Sequence, residues 1–190
     1  MTGRGAEVTG RGAQVTRRDA DVTDREADVT GREADVTGAS RVIVIGVGNE
    51  FRTDDGAGPA VIARLAGRVP DSVELVTSDG EPARLVEAWT RASTAIVVDA
   101  VSSGPAPPGT LHRMVIVGPA LPSAESGQVS SHGLGLGTAT ELARVLGRLP
   151  GMLIVHGVQA ADLSQGVGLS AAVASVIDDL TAAVLADAIR

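Results

Sequence analysis

From Arg41 to the C-terminus, short runs of β-branched residues alternate with longer stretches that have helical apolar spacing. This alternation is typical of βαβ units, in which a helix crosses over between two parallel strands. Strands are predicted at 41–46, 72–77, 94–99, 110–117 and 152–157. Helices are predicted at 57–68, 81–92, 134–147 and 170–189. The sequence therefore predicts an α/β fold: one three-layer domain with a twisted, mainly parallel five-stranded sheet and helices on both faces.

The strand sequences also predict the order of the sheet. Three of them, RVIVIG (41–46), TAIVVD (94–99) and MLIVHG (152–157), are almost continuously apolar, as expected for strands that helices cover on both faces. We expect these three in the middle of the sheet. Segment 110–117 follows the turn-rich SSGPAPPG, which is too short for a crossover helix, so this strand is expected to run antiparallel at an edge.

Residues 2–36 repeat with a period of seven and differ in composition from the rest of the chain. Their Ala and Val residues do not alternate at spacings of three and four, so no coiled-coil seam forms. We expect residues 1–40 to be a disordered tail and residues 41–190 to be the folded domain. Tandem duplication in the coding DNA, or a start codon assigned too far upstream, would produce the same repeat.

Composition excludes several classes of function. The absence of cysteine excludes disulfides, zinc–thiolate sites and thiol catalysis, so a metal would have to bind oxygen and imidazole. The net charge of −7 disfavours a nucleic-acid partner. No stretch is long and apolar enough to suggest membrane insertion or a signal peptide, so we expect a cytoplasmic protein.

The loop at 46–59, GVGNEFRTDDGAGP, joins the first strand to the first helix and carries Asp54 and Asp55. Ligands of open α/β sheets bind at the carboxyl ends of the strands, where this loop lies. Aspartate there is also a common helix cap, because its oxygen accepts from free N–H groups. One aspartate could cap the helix, which would leave the other free to point into the crevice. A dinucleotide fingerprint is incomplete, because Phe51 occupies the position of its third glycine.

Two further positions could complete a site. Asp99 ends a buried strand, where a carboxylate needs a cation, a metal or loop N–H donors. His132 lies in the small-residue loop QVSSHGLGLG before a helix. Two carboxylates and an imidazole suit a divalent Ni, Zn or Fe ion. A Ser–His–Asp triad would have to use Ser131, which is adjacent to His132 and outside any nucleophile elbow. His156, inside an apolar strand, is expected to be structural, and His112 to face solvent.

These motifs together resemble those of the hydrogenase maturation endopeptidases. The resemblance is carried by G-x-GN-x-x-x-x-DDG-x-G from Gly46 to Gly58, VVDAV around Asp99, PPGT, SSHGLGL around His132, and GVQ at Gln159, in the same order across 41–190. It implies that Asp55, Asp99 and His132 contact nickel and form the catalytic set. Asp54, the other member of the acidic pair, is then expected to cap the first helix. The chain departs from the family at 77–81, TSDGE, where many relatives carry Asp-Gly-Gly; this loop is expected to touch the substrate.

The resemblance implies an aspartic-type endopeptidase that removes a C-terminal peptide from the precursor of a nickel–iron hydrogenase large subunit after nickel insertion. The nickel is expected to be carried by that precursor rather than held tightly by the free enzyme. Two alternatives remain open. A non-cleaving metal-binding chaperone or scaffold would keep the same three ligands. A peptidyl-tRNA hydrolase also begins with a strand and G-x-GN, but ten arginines against fifteen acidic residues in 41–190 disfavour its substrate.

Overall fold

A computed structural model describes residues 41–102, 104–117 and 134–190. Its single sheet has five strands in the order β2-β1-β3-β5-β4. These are Val42–Val47 (β1), Val73–Ser78 (β2), Thr94–Val101 (β3), Leu111–Val117 (β4) and Met152–Gln159 (β5). Strands β2, β1, β3 and β5 are mutually parallel, whereas β4 runs antiparallel to β5 at the edge. The predicted fold, the three central strands and the antiparallel edge strand are confirmed.

Helices cover both faces of this sheet. They are Ala57–Leu65 (α1), Pro82–Trp89 (α2), Leu134–Val145 (α3), Ala171–Ala174 (α4) and Ile177–Ala188 (α5). Helix α1 packs beside α5 on one face, and α2 packs beside α3 on the other. Within the described residues, none of the helices has both the length and the apolar character needed to cross a bilayer.

Alternation along the strands divides the core into two layers. Even-numbered residues such as Val44, Val98 and Ile154 are buried against α1 and α5. Odd-numbered residues such as Ile45 and Val97 are buried against α2 and α3. Within β1, β3 and β5, the face on which a polar residue lies therefore follows from its number.

Two glycines let the first strand and the first helix touch. A Cβ atom on Gly46 would lie 2.4 Å from the carbonyl oxygen of Gly58, and one on Gly58 would lie 2.2 Å from that of Val47. Side chains at either position would push α1 away from β1. The contact brings the short 3-10 turn Thr53–Gly56, which precedes α1, over the carboxyl end of β1.

The helix predicted at 170–189 is wrong in one respect, because it is two helices. The Ser170 hydroxyl caps α4 by accepting from the N–H of Val173, and the Ser175 hydroxyl donates to the carbonyl of Ala172, where α4 ends. Val176, at φ −115° and ψ 0°, then separates α4 from α5. Residues 1–40, predicted to be a tail, lie outside the described part of the chain.

Candidate active site

Two of the three predicted site residues lie at the carboxyl ends of neighbouring parallel strands. Asp99 is the third residue from the end of β3 and is only 8% exposed. Asp55 lies in the turn that follows β1, with its side chain 20% exposed. Because β1 and β3 are paired in parallel, their carboxyl ends share one edge of the sheet, as the sequence predicts.

The two carboxylates act on each other electrostatically. The pKa of Asp99 is raised to about 7, first by burial and then by the negative charge of Asp55; the N–H of Ala100 opposes the rise. A carboxyl group with such a pKa can exchange a proton near neutral pH. A cation beside the pair would favour the ionised form of both, so the pair suits a divalent metal as well as proton transfer.

The loop after β1 holds Asp55 at this edge. The backbone N–H of Asn49 donates to Asp55 Oδ2 at 3.1 Å, and Arg52 Nη1 lies 3.8 Å from the same oxygen. Asn49 Oδ1 accepts from the N–H of Phe51 at 2.9 Å, which closes the loop on itself. Gly48, at φ +130°, is required here because a Cβ atom would lie 1.9 Å from the carbonyl oxygen of Asp55.

The prediction that Asp54 caps the first helix is wrong. The cap position of the 3-10 turn is Arg52, and no side-chain cap bond is present there. The Asp54 carboxylate is fully buried and accepts instead from the backbone N–H groups of Ala161, Asp162 and Ser170. These donors are more than a hundred residues further along the chain, so local sequence could not reveal them.

The third predicted site residue, His132, lies outside the described residues. Among the residues that are described, no group of three or more His, Asp or Glu side chains is placed to hold a metal ion. A metal ion held by Asp55 and Asp99 would need a further donor. His132 remains the predicted one.

His156 cannot supply that donor, because it lies on the opposite face of the sheet. Its ring is 2% exposed, and Nε2 lies 2.8 Å from Oδ2 of Asp187 on α5. Arg113 on β4 donates to both oxygens of Asp187, at 2.8 and 2.9 Å. Burial lowers the pKa of His156 below its usual value, although Asp187 opposes this shift. The structural role predicted for His156 is confirmed, and His112 is exposed as predicted.

Gln159, the last residue of β5, belongs to the GVQ motif of the sequence. It pairs in register with Val101, as Gly157 pairs with Asp99, so Gln159 and Asp99 lie on the same face of the sheet. Gln159 is 4% exposed, and its side-chain oxygen has no hydrogen-bond partner among the described residues. A buried acceptor on the face that carries Asp99 is suited to a donor on a bound substrate.

An open groove of about 600 Å³ lies beside the loop that holds Asp55. It runs along β2 at Val76–Ser78, between Ile62 of α1 and Ala88 of α2, and loop residues including Asn49 and Phe51 line it. Phe51, 63% exposed, is the only phenylalanine in the chain. The groove follows the edge strand β2 and borders the loop whose Asn49 N–H donates to Asp55.

Comparisons with known proteins identify the family of this chain. A family model described as hydrogenase maturation protease matches residues 59–187. The hydrogenase 2 maturation protease of Escherichia coli is 30% identical over 148 residues, which cover 77% of this chain and 89% of that protein.

Solved structures agree with the sequence comparison. The hydrogenase maturating endopeptidase HybD from Escherichia coli superposes with a TM-score of 0.66 at 27% identity, covering 77% of this chain and 91% of that one. The hydrogenase 2 maturation peptidase from a Thaumarchaeota archaeon superposes with a TM-score of 0.58 at 27% identity, over 77% of this chain and 97% of that one.

Proposed function

The chain belongs to the hydrogenase maturation protease family and is a peptidase, and from this premise we propose its substrate and its site. The substrate is the precursor of a nickel–iron hydrogenase large subunit, from which the protein removes a C-terminal peptide after nickel insertion. Nickel arrives as part of that precursor. Asp55, Asp99 and His132 are the residues that meet it.

The observation that carries this proposal is the coupled pair of carboxylates. Burial and the charge of Asp55 together raise the pKa of Asp99 to about 7, so two negative charges at this edge oppose each other near neutral pH. A divalent cation on the substrate would relieve that repulsion, and oxygen with imidazole is a ligand set that nickel accepts. A precursor without nickel would leave the repulsion uncompensated. This difference explains why unfinished precursor would be left uncut.

His132 is proposed as the imidazole donor on the basis of its place in the sequence. It precedes α3 by two residues, and Leu136 of α3 packs against the core layer of odd-numbered strand residues. Asp99 is itself an odd-numbered strand residue on that face. The start of α3 therefore belongs to the same side of the sheet as Asp99.

For the chemical step, we propose that the acid pair takes the proton of the attacking water. Burial and the charge of Asp55 raise the pKa of Asp99 to about 7 in the free protein, and a docked cation would favour its ionised form, which is the form that accepts a proton. The proton then passes to the leaving amine as the peptide bond breaks. When the nickel-bearing precursor is docked, the metal's charge also favours attack on the scissile carbonyl. The chain's own residues orient the substrate and carry the proton.

The groove along β2 is proposed to bind the polypeptide on its way to the acid pair. An extended peptide can add to the exposed edge of a sheet through main-chain hydrogen bonds. The N–H of Gly48 donates to the carbonyl of Ser78 at 2.9 Å, and the neighbouring Asn49 bonds to Asp55. One short loop thus connects the groove to the acid pair.

The proposed function is tested by incubating the purified protein with nickel-loaded large-subunit precursor and with the same precursor lacking nickel. We expect a loss of mass at the C-terminus of the nickel-loaded precursor only. A stable complex with no loss of mass would favour the non-cleaving chaperone. Equal cleavage of both precursors would contradict the proposed role of nickel. If neither precursor is cleaved and no complex forms, the proposed substrate is wrong.

A further inference from the structure

The turn that carries Asp55 is hydrogen-bonded to a distant part of the chain through the preceding residue, Asp54. Asp54 Oδ2 accepts from the N–H groups of Ala161 and Asp162 at 2.8 and 3.0 Å, and Oδ1 accepts from the N–H of Ser170 at 2.7 Å. Asp54 is fully buried. No basic side chain pairs with it in the part of the chain that the structure describes, so these N–H groups are what offset the cost of burying it.

Thr53 also forms hydrogen bonds to this part of the chain, which we call the 160–170 segment. Its hydroxyl donates to the carbonyls of Asp162 and Ser164 at 2.7 and 3.1 Å, and its N–H donates to the carbonyl of Gly166 at 2.9 Å. Thr53 has φ +43°, a left-handed conformation that is unfavourable for a β-branched residue. Such strain persists only where the surroundings hold it, and it is often found at functional sites.

We propose that Asp54 is a positioning residue, which anchors the turn to the 160–170 segment and thereby holds Asp55 beside Asp99. This inference rests on the proposed function. Asp54 directs its carboxylate into the protein, and Asp55, the next residue, directs its own towards the crevice. Both oxygens of the buried Asp54 carboxylate already accept from backbone N–H groups, so Asp54 is not available to contact a substrate or a metal. It acts through the backbone of Asp55, whose carbonyl is packed against Gly48.

The test compares Asp54→Ala and Asp54→Asn with Val184→Ala, all assayed on nickel-loaded precursor at temperatures where each variant is fully folded. Val184 is fully buried in α5 and makes none of the hydrogen bonds that join the turn to the 160–170 segment, so it controls for lost stability. We expect kcat/KM to fall about 30–100-fold in Asp54→Ala, because a misplacement of about 1 Å can cost that much. Val184→Ala should stay within about twofold of the wild type, since its site geometry is untouched.

Asp54→Asn should recover part of the loss. An amide oxygen at the Oδ2 position keeps the bonds from Ala161 and Asp162, while its NH₂ group opposes the N–H of Ser170. We expect a reduction of about three- to tenfold. If Asp54 only stabilised the fold, fully folded Asp54→Ala and Asp54→Asn would have the same kcat/KM.

Amide hydrogen exchange supplies a readout that does not depend on cleavage. In Asp54→Ala the amides of residues 53–56, 161, 162 and 170 should exchange more than about tenfold faster, with the central strands unchanged. If Asp54→Ala does not fold, Asp54→Asn and Thr53→Val carry the same comparison. A folded Asp54 variant with wild-type kcat/KM, or unchanged exchange in the turn, would overturn the proposal. If the wild-type protein fails to cut precursor, the proposed function is wrong. The exchange rates of the amides in the turn would still show whether Asp54 anchors it.

Discussion

At the scale of single residues, Asp99 shows how burial and charge set the chemistry of the site. Its carboxyl group is 8% exposed, and its pKa is raised to about 7 by burial and by Asp55. A folded-state pKa above the unfolded value means that the group contributes stability below pH 3.8, and that this contribution is lost as pH rises through about 7. The site thus places a destabilising charge where a cation is expected to bind.

Asp99→Asn should therefore stabilise the free protein at high pH. The variant lacks the charge, so its advantage in the free energy of unfolding over the wild type should grow by about 1–3 kcal/mol between pH 5 and pH 8. Urea unfolding of both proteins at the two pH values measures this. An advantage that is the same at both pH values, or that shrinks as pH rises, would contradict the account.

Asp99→Asn should raise the stability of the free protein at high pH, whereas His156→Gln should lower stability with little loss of activity. His156 is buried on the face away from Asp99 and contacts Asp187, which Arg113 also binds. We expect a loss of about 1–3 kcal/mol at pH 7.5, because the contact to Asp187 is disturbed in a buried position.

The pH dependence of this loss follows from the lowered pKa of His156. The neutral ring contributes stability above its unfolded pKa of 6.5, and the contribution disappears as pH falls through the lower folded value. Thermal unfolding and kcat/KM, measured on the same fully folded sample, separate the two effects. A collapse of kcat/KM with unchanged Tm would show that His156 acts in the reaction.

At the scale of elements, the local sequence pattern predicted most of what the structure contains. Continuous apolar runs placed β1, β3 and β5 in the centre, and the short link before β4 predicted its antiparallel edge position. The role of Asp54 was predicted wrongly, because its partners at Ala161 and Ser170 are brought close only by the complete fold. A capping aspartate and an anchoring aspartate look the same in sequence.

The groove along β2 gives a prediction at this scale. Ala63 is an exposed residue of α1 that lines the groove, and Ala182 is an exposed residue of α5 that does not. Ala63→Arg should raise KM for precursor about tenfold or more by filling the path of the polypeptide, with kcat largely kept. Ala182→Arg, which adds the same charge elsewhere, should leave KM unchanged. Equal KM values for the two variants would place the substrate outside the groove.

At the scale of the whole molecule, the two described core layers are built from residues between Val42 and Ala188. Deleting residues 1–40 should therefore leave Tm within about 2 °C of the full chain, because no described core residue is removed. Cleavage of nickel-loaded precursor should also be unchanged. Calorimetry and a cleavage assay on the two proteins test this. A large drop in Tm or in cleavage would show that residues 1–40 are part of the folded, active domain.

The most direct test of the central claim is the cleavage of nickel-loaded precursor by Asp55→Asn. The substitution keeps the size of the side chain and removes the charge that acts on Asp99. We predict that kcat/KM falls by about 100-fold or more, the scale expected for losing a group that acts directly in the reaction. Tm should change little, and combining Asp55→Asn with Asp99→Asn should add little further loss, because the two carboxylates act as one unit. Cleavage by Asp55→Asn at the wild-type rate would contradict the proposed site.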